Sequence, residues 1–195
     1  SSSGHTWVSW GELGLEVYSP SGAKLGFWDN LEFPIREIIE YDGLVLFATE
    51  DGVERFNETT FSWESTWTPG NGLPNNVGDW VGELWTDGQH LLVGTATFAW
   101  WGGFQRGVIG HLDGSTGAWS TVETGQNGIP NGYPLSMSQC GSYVYIGLLN
   151  NNGGIVSMDL NSSSVVGSFT TSVLSNGRVA AVACDSVATL YVGYD

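Results

Sequence analysis

Two adjacent tryptophans in a long loop have the clearest potential for recognition chemistry. Trp100 and Trp101 lie in the segment Thr97–Arg106, and a run of three asparagines begins at Asn150 in a second loop. Successive side chains of an extended chain alternate, so one indole is expected to face solvent. An exposed indole beside asparagine amides can stack on a sugar ring or anchor a protein partner. These residues predict a ligand site, unless both rings fold over and close the end of their sheet.

Three further asparagines are assigned to the same predicted site. Asn75 and Asn76 end the segment Asn-Gly-Leu-Pro-Asn-Asn that begins at Asn71, and Asn131 has the matching place in Asn-Gly-Ile-Pro-Asn. Proline fixes φ and lacks an N–H, so each segment should be a loop through which the chain enters a strand. The predicted ligand is a carbohydrate or a protein.

Catalytic and metal chemistry have weaker support. Neighbouring carboxylates could perform acid–base work in a sugar-cleaving enzyme, but a retaining glycosidase needs two of them ~5.5 Å apart. The histidines are widely spaced, which argues against a zinc site. We expect no catalytic residues, no metal site and no cofactor, with Ca²⁺ binding and a glycoside hydrolase or lyase as alternatives. The residues concerned are Glu37 with Glu40, Glu50 with Asp51, Glu83, and His5, His90 and His111.

The charge balance excludes several partners. The chain of 195 residues has 20 acidic and 5 basic residues and a formal net charge of −15. Nucleic-acid binding requires clustered lysine and arginine, so it is not expected. No window approaches the ~20 apolar residues needed to span a bilayer, so membrane insertion is not expected either. The surface should instead be strongly hydrated.

Cysteines and glycosylation sequons complete the chemical inventory. Cys140 and Cys184 each precede a turn at matching places in successive repeats, and buried free thiols are favoured over a disulfide between neighbouring strands. Asn57 and Asn161 each begin an Asn-x-Ser/Thr triplet in a predicted exposed turn. Glycan attachment at both is expected if the protein is secreted.

An internal repeat organises the whole chain. One apolar strand recurs with starts 39, 46, 53 and 46 residues apart. A period near 46 residues suits the four-stranded blade of a β-propeller, whose strands we call A to D. Short apolar runs separated by Gly and Asn support an all-β fold. The copies of strand B are Thr6–Trp10, Val45–Thr49, Leu91–Thr95, Val144–Leu148 and Leu190–Tyr194.

The other strands complete about three four-stranded blades and two partial blades. Residues 1–195 should form a single propeller or part of a larger one, with blades at roughly 1–30 (partial), 31–70, 71–126, 127–173 and 174–195 (partial). Asp-Gly pairs such as Asp87-Gly88 suit tight A-to-B turns. Aromatic residues recur in strand D and should fill the wedges between blades. They are Trp28, Trp63, Trp67, Trp119 and Phe169.

The repeat resembles that of the two-component-regulator propeller family. The resemblance covers nearly the whole chain and implies an extracytoplasmic propeller that senses ligands or mediates contacts, often within a much longer protein. The matching motifs are Gly72-Leu-Pro-Asn-Asn76 with Leu91-Leu-Val-Gly-Thr95, and Gly128-Ile-Pro-Asn131 with Tyr145-Ile-Gly147 and Gly153-Gly154.

Topology assigns the predicted site to one end of the propeller. The D-to-A and B-to-C loops share one end, which we call the loop face, and the other turns lie at the opposite end. We expect a non-catalytic binding module on an extracellular, cell-surface or periplasmic protein, with its ligand at the loop face. Alternatively, open blade edges recruit the remaining blades of a larger protein or a second copy of the chain, and the domain is structural.

Overall fold

Every named element of the described chain is a β-strand. The computed structural model describes residues 1–10, 13–29, 34–99, 102–170, 174 and 178–195. Within these residues no helix is long and apolar enough to cross a membrane. The strands are β1 (Thr6–Ser9), β2 (Leu15–Tyr18), β3 (Lys24–Trp28), β4 (Glu37–Tyr41), β5 (Leu44–Thr49), β6 (Gly52–Asn57), β7 (Ser62–Trp63), β8 (Thr68–Pro69), β9 (Gly72–Leu73), β10 (Trp80–Thr86), β11 (His90–Phe98), β12 (Phe104–Asp113), β13 (Ala118–Glu123), β14 (Tyr133–Cys140), β15 (Tyr143–Leu149), β16 (Gly154–Asp159), β17 (Ser164–Thr170), β18 (Val179–Cys184) and β19 (Leu190–Tyr194).

The strands form five successive antiparallel sheets of a β-propeller. The first sheet is β1–β3, the second β4–β7, the third β10–β13, the fourth β14–β17 and the fifth β18–β19, each in chain order. The five predicted B strands are β1, β5, β11, β15 and β19, so the repeat is confirmed as the unit of the fold. The A strands of adjacent sheets pack most closely together, which places them innermost. Within the described residues, β1 and β19 each pair on one side only.

The second sheet departs from the predicted pattern at its outer edge. Trp63 and Trp67 were both assigned to strand D, but β7 spans only Ser62–Trp63, and Trp67 rejoins the sheet through an isolated bridge. The Arg55 guanidinium donates to the carbonyl and hydroxyl oxygens of Ser65, each at 2.8 Å. These bonds hold the intervening backbone away from the ladder. The chain then forms the short parallel pair of β8 and β9 before entering the third sheet.

Each contact between adjacent sheets contains its own apolar cluster. Phe47 and Phe56 lie between the first and second sheets, where Trp28 and Trp63 pack edge to face at 5.6 Å. Trp67 and Trp119 join the next cluster. These four strand D tryptophans therefore fill wedges between sheets as predicted. Burying one such large side chain contributes about 1.5–3 kcal/mol.

Phe169 does not belong to the core, contrary to expectation. It lies in β17, the outermost strand of the fourth sheet, and is 38% exposed. The fifth sheet consists of β18 and β19 only, and β18 packs against the inner strand β14. Within the described chain, the outer half of the fourth sheet therefore has no neighbouring strand to cover it.

A disulfide joins the fourth and fifth sheets, and the expectation of free thiols was wrong. Cys140 ends β14 and Cys184 ends β18, and their Cα atoms are 5.3 Å apart. This separation suits a disulfide because the A strands converge at the inner edge of the propeller. Ser138 Oγ accepts a hydrogen bond from the Cys184 N–H at 3.2 Å, so the two strand ends also meet through polar contacts.

Gly52 opens β6 in a conformation that only glycine adopts easily, and we expect Gly52→Ala to lower the free energy of unfolding by about 2–3 kcal/mol. Its φ is +129°, and an added Cβ would lie 2.2 Å from the carbonyl oxygen of Trp67. Gly43 is the matched control, because its φ is +74° and an added Cβ there meets nothing within 4 Å. Urea denaturation compares the two variants, and equal losses would contradict the steric argument.

Candidate functional site

The loops at one end of the propeller are joined by hydrogen bonds. Asn131, in the D-to-A loop that precedes β14, donates its N–H to the carbonyl oxygen of Asn152 at 3.1 Å. Asn152 belongs to the B-to-C loop between β15 and β16. The two kinds of loop predicted to share the loop face therefore touch each other in the fourth sheet.

Four aromatic rings form a cluster at the loop face. Trp80 begins β10, Phe98 ends β11, Phe104 begins β12 and Tyr133 begins β14, so all four stand at the same end of their strands. The Trp80 ring centroid lies 5.5 Å from that of Phe98 and 5.4 Å from that of Tyr133. The Phe104 and Tyr133 centroids are 5.6 Å apart. Phe98 is 37% exposed, and the other three rings are half-buried. The cluster presents aromatic surface to solvent beside the loops.

A paired arginine lies over this aromatic cluster. The Arg36 guanidinium stacks 4.6 Å from the Trp80 ring centroid, and its Nη2 lies 2.6 Å from Glu50 Oε1. A cation over an indole face is attracted by the ring quadrupole, by about 0.5–1 kcal/mol at an exposed site. Burial raises the pKa of the Tyr133 phenol, although Arg178 and Arg36 oppose that shift. The cluster therefore lies within the electrostatic field of two arginines.

The extended hairpin of the third sheet builds half of the cluster. A loop was expected over Thr97–Arg106, but β11 continues to Phe98 and β12 begins at Phe104. The register pairs Phe98 with Phe104 across the hairpin. Aromatic residues favour strands, and this cross-strand pair extends the ladder into the predicted loop. Phe98 and Phe104 therefore extend the sheet at the loop face.

Sequence reasoning missed this cluster, although one signal was present. In the third and fourth sheets, one residue of strand A pairs with the last residue of the repeated strand B. Trp80 and Tyr133 each immediately precede that residue, so they occupy the same register position in adjacent sheets. An aromatic residue at the first position of successive A strands indicates a feature at one end of the propeller. Because a loop was expected at these positions, the long strands that bring Phe98 and Phe104 to the same place were not predicted.

The predicted asparagines lie near the loop face but do not form one group. Asn131 and Asn150 belong to the two joined loops of the fourth sheet. Asn76 donates from Nδ2 to Thr121 Oγ1 at 2.7 Å, which ties it to the outer strand β13. Asn75 is exposed in the loop before β10. The predicted Trp100 and Trp101 lie outside the described residues.

A cavity of about 500 Å³ opens on the same end of the second and third sheets. Asp79 lines it and immediately precedes Trp80 in the chain. Its walls mix polar and apolar surface, and on the polar part Thr66 donates from Oγ1 to Glu54 Oε2 at 2.9 Å. Carboxylates and hydroxyls accept and donate hydrogen bonds to a ligand rich in hydroxyl groups. The complete lining is Asp51, Glu54, Thr66, Thr68, Pro69 and Asp79.

The candidate catalytic carboxylates are in different environments. Glu50 pairs with Arg36, and Asp51 is exposed. Glu83 lies inside β10, where burial and the nearby Glu37 carboxylate raise its pKa to about 8. Burial also raises the pKa of Glu37. The Glu83 carboxyl therefore responds to the charge of Glu37 on the neighbouring A strand β4. In the described part of the chain, no group of three or more His, Cys, Asp or Glu residues could hold a metal ion.

Both sequons lie at the end opposite the loop face. Asn57 ends β6 and is half-buried, and its Oδ1 accepts the N–H groups of Thr59 at 2.9 Å and Thr60 at 3.2 Å. Asn161 is exposed in the turn between β16 and β17. A glycan on either asparagine remains a prediction, and neither position would obstruct the loop face.

The fold and its loop face define this chain as part of a β-propeller, and known structures share the architecture. No protein-family model and no curated protein matches the chain. It is similar to the extracellular domain assigned to the one component system BT4673 of B. thetaiotaomicron, with 18% identity and a TM-score of 0.65 over 96% of this chain and 24% of that one.

Two further structures are similar. The extracellular domain of the hybrid two component system BT3049 of B. thetaiotaomicron matches with 20% identity and a TM-score of 0.66, over 98% of this chain and 26% of that one. The WD40 β-propeller domain of Doa1 matches with 13% identity and a TM-score of 0.65, over 96% of this chain and 57% of that one. The chain thus spans about a quarter of each bacterial domain. At these identities the similarity is one of fold.

Proposed function

We propose that this chain is a non-catalytic, ligand-binding part of an extracytoplasmic β-propeller, and that its ligand binds at the loop face. The observation that carries the proposal is the aromatic cluster of Trp80, Phe98, Phe104 and Tyr133, with Arg36 stacked on Trp80. Loops carry function more often than the sheets that hold them, and rigid strand ends fix these rings in place. A sensing role is proposed by analogy with the similar bacterial structures, which are extracellular domains of one component and hybrid two component systems.

Two observations support a location outside the cytoplasm. The Cys140–Cys184 disulfide is a bond that persists in oxidising compartments and is rare in the cytosol. Two similar structures are extracellular domains of bacterial regulators. The chain is proposed to belong to an extracellular, cell-surface or periplasmic protein.

The surroundings of the cluster favour a carbohydrate over a protein as the ligand. Aromatic faces stack on the apolar faces of sugar rings. The adjacent cavity supplies carboxylates from Asp51, Glu54 and Asp79, together with hydroxyls from Thr66 and Thr68. Such groups bond sugar hydroxyls, whereas the core of a protein interface is depleted of charged residues. A neutral glycan that packs against the exposed Phe98 ring beside Trp80, with its hydroxyls toward Asp79, fits this chemistry.

Replacing the central ring tests the proposal, and we expect Trp80→Ala to weaken glycan binding by about 10- to 100-fold, the effect of losing one stacked aromatic anchor. The wild-type chain is first screened on a glycan array, and the best glycan is then titrated by calorimetry against each variant. Tyr143→Ala is the matched control, because Tyr143 is 39% exposed and begins β15 beside the A-to-B turn, at the opposite end.

Two results would count against this assignment. Equal affinity of the wild type and Trp80→Ala would remove the aromatic cluster from the site. Release of new reducing ends from a bound glycan, abolished by Glu83→Gln, would favour the hydrolase or lyase alternative. Equal loss of affinity in both aromatic variants would indicate a general effect on folding, which circular dichroism of each variant detects.

A further inference from the structure

Two histidines meet at the contact between the third and fourth sheets. His90 begins β11 and His111 lies in β12, and their ring centroids are 5.3 Å apart. His111 Nδ1 lies 2.8 Å from Ser163 Oγ, which belongs to the turn between β16 and β17 of the fourth sheet. Ser120 Oγ, on β13, lies 3.4 Å from the same nitrogen. Because His111 is 1% exposed, it is a buried polar link between the two sheets.

The other ring nitrogen of His111 has no hydrogen-bond partner. Nε2 is buried, and no described residue places a donor or acceptor within reach. A buried N–H without an acceptor costs about 1–3 kcal/mol. The neutral tautomer with its proton on Nδ1 avoids this, because Nδ1–H donates to Ser163 Oγ and only a lone pair remains unpaired at Nε2. We assign that tautomer from the hydrogen-bond pattern.

The charged groups around His111 give its second proton no partner. In the third sheet, Asp87 Oδ2 lies 3.0 Å from His90 Nδ1 and is therefore engaged with the other ring. Asp113 accepts hydrogen bonds from the residues of its own turn. In the fourth sheet, the Asp159 carboxylate likewise accepts backbone N–H groups of its own turn. His90 faces the His111 ring and can carry a charge beside Asp87.

We propose that the His90–His111 pair is a pH-sensitive switch in the contact between the third and fourth sheets, closed at neutral pH and loosened by acid. A proton on Nε2 of His111 creates a buried N–H⁺ without an acceptor, and a positive charge on the neighbouring His90 ring opposes it. Bringing the imidazolium to water requires the ring to leave its buried position, which breaks its contact with Ser163 of the fourth sheet. That movement separates the two sheets at the end opposite the loop face.

The direction of the pH effect follows from the surroundings of His111. Burial, followed by the positive charge of His90, holds the pKa of folded His111 below 6.5, against the raising effect of Asp113 and Asp87. The contribution of neutral His111 to folding stability is therefore fully present above pH 6.5. It is lost as the pH falls below 6.5 toward the pKa of His111 in the folded state. If the acid dissociation constant of His111 is tenfold larger in the folded than in the unfolded state, the folding equilibrium constant is tenfold lower at a pH below both pKa values.

Histidine titration by NMR tests the switch directly. In the wild-type chain, we expect the His111 ring signals to titrate below the ordinary histidine pKa of 6.5, because burial and the positive charge of His90 disfavour its second proton. In His90→Gln, the titration of His111 should move to higher pH because one positive neighbour is gone. Protection factors for amide hydrogen exchange, which divide out the intrinsic pH dependence of exchange, should fall in β12 and in the turn at Ser163 between pH 7.5 and 5.0 by about the fold-change expected from the titration.

Stability measurements complete the test. The wild type should lose folding stability between pH 7.5 and 5.0, whereas His111→Gln should lose at least several-fold less over the same range. His5→Gln is the control and should behave as the wild type does. The proposal is overturned if the His111 ring signals titrate at or above pH 6.5, or if the protection factors near Ser163 stay constant from pH 7.5 to 5.0. Because these two readouts use the wild type, they decide the matter even if His111→Gln does not fold.

Discussion

Cys140→Ala/Cys184→Ala is expected to lose about 4 kcal/mol of unfolding free energy relative to the oxidised wild type. The disulfide closes a chain segment with a sequence separation of 44 residues. Cross-linking a loop of this length removes denatured-state entropy worth roughly 4 kcal/mol in the chain-entropy model. The loss should concentrate in the fifth sheet, because β18 and β19 are its only two strands in the described chain. Urea denaturation followed by tryptophan fluorescence measures the loss.

Reduction of the wild type supplies the control for this experiment. Wild-type chain reduced with dithiothreitol should unfold at the same urea concentration as the double variant, because both lack the bond. Ser138→Ala, which removes only the hydroxyl that accepts the Cys184 N–H, should cost about 1 kcal/mol. An oxidised wild type and a double variant with equal midpoints would show that the bond does not hold the two sheets together.

Glu83→Gln is expected to stabilise the protein above pH 8, by about 2–5 kcal/mol. Burial, followed by the Glu37 charge, raises the pKa of Glu83 to about 8 from its ordinary value of 4.5. A raised carboxyl pKa means that the contribution to stability is present below pH 4.5 and is lost as the pH rises to about 8. A tenfold change in an acid constant corresponds to about 1.36 kcal/mol, and relaxation around the group reduces the total. Glutamine keeps the oxygen that accepts the Met137 N–H at 3.2 Å.

The effect should disappear in acid, which separates electrostatics from packing. At pH 4 the wild type and Glu83→Gln should have nearly equal unfolding free energies, because both side chains are then neutral. Glu64→Gln, at an exposed position, is the matched control and should change stability little at either pH. Glu37→Gln should lower the pKa of Glu83 and recover part of the gain. A constant difference between wild type and Glu83→Gln from pH 4 to 9 would contradict the pKa argument.

An equivalent position in the next sheet explains why an acid can occupy this site. Ser136 in β14 pairs with Gly147, as Glu83 in β10 pairs with Gly94, and both glycines precede the last residue of the repeated B motif. Ser136 Oγ accepts the Val182 N–H of the following A strand at 3.0 Å. The position therefore requires an acceptor for the next sheet, and either a hydroxyl or a carboxyl oxygen serves.

Sequence pattern alone determined the architecture of this protein. The repeated strand B, the Asp-Gly turns and the loops that contain proline predicted the sheets, because alternating apolar residues and turn residues are local signals. Asp42 and Gly43 take positive φ angles of 51° and 74°, as a tight hairpin requires. Strand ends differed by a few residues where side chains outside the pattern acted, as Arg55 does in the second sheet.

Tertiary structure alone decided which distant residues meet. The five sheets converge at their inner strands. Cys140 therefore forms a disulfide with Cys184, and the Glu37 charge raises the pKa of Glu83. Aromatic rings from three different strand ends in the third sheet and one in the fourth form a single cluster at the loop face. Such contacts depend on the angle and spacing between sheets, which arise from the packing of many side chains at once. The repeat in the sequence predicts the strands of each sheet, whereas the distance between two sheets is a property of the assembled propeller.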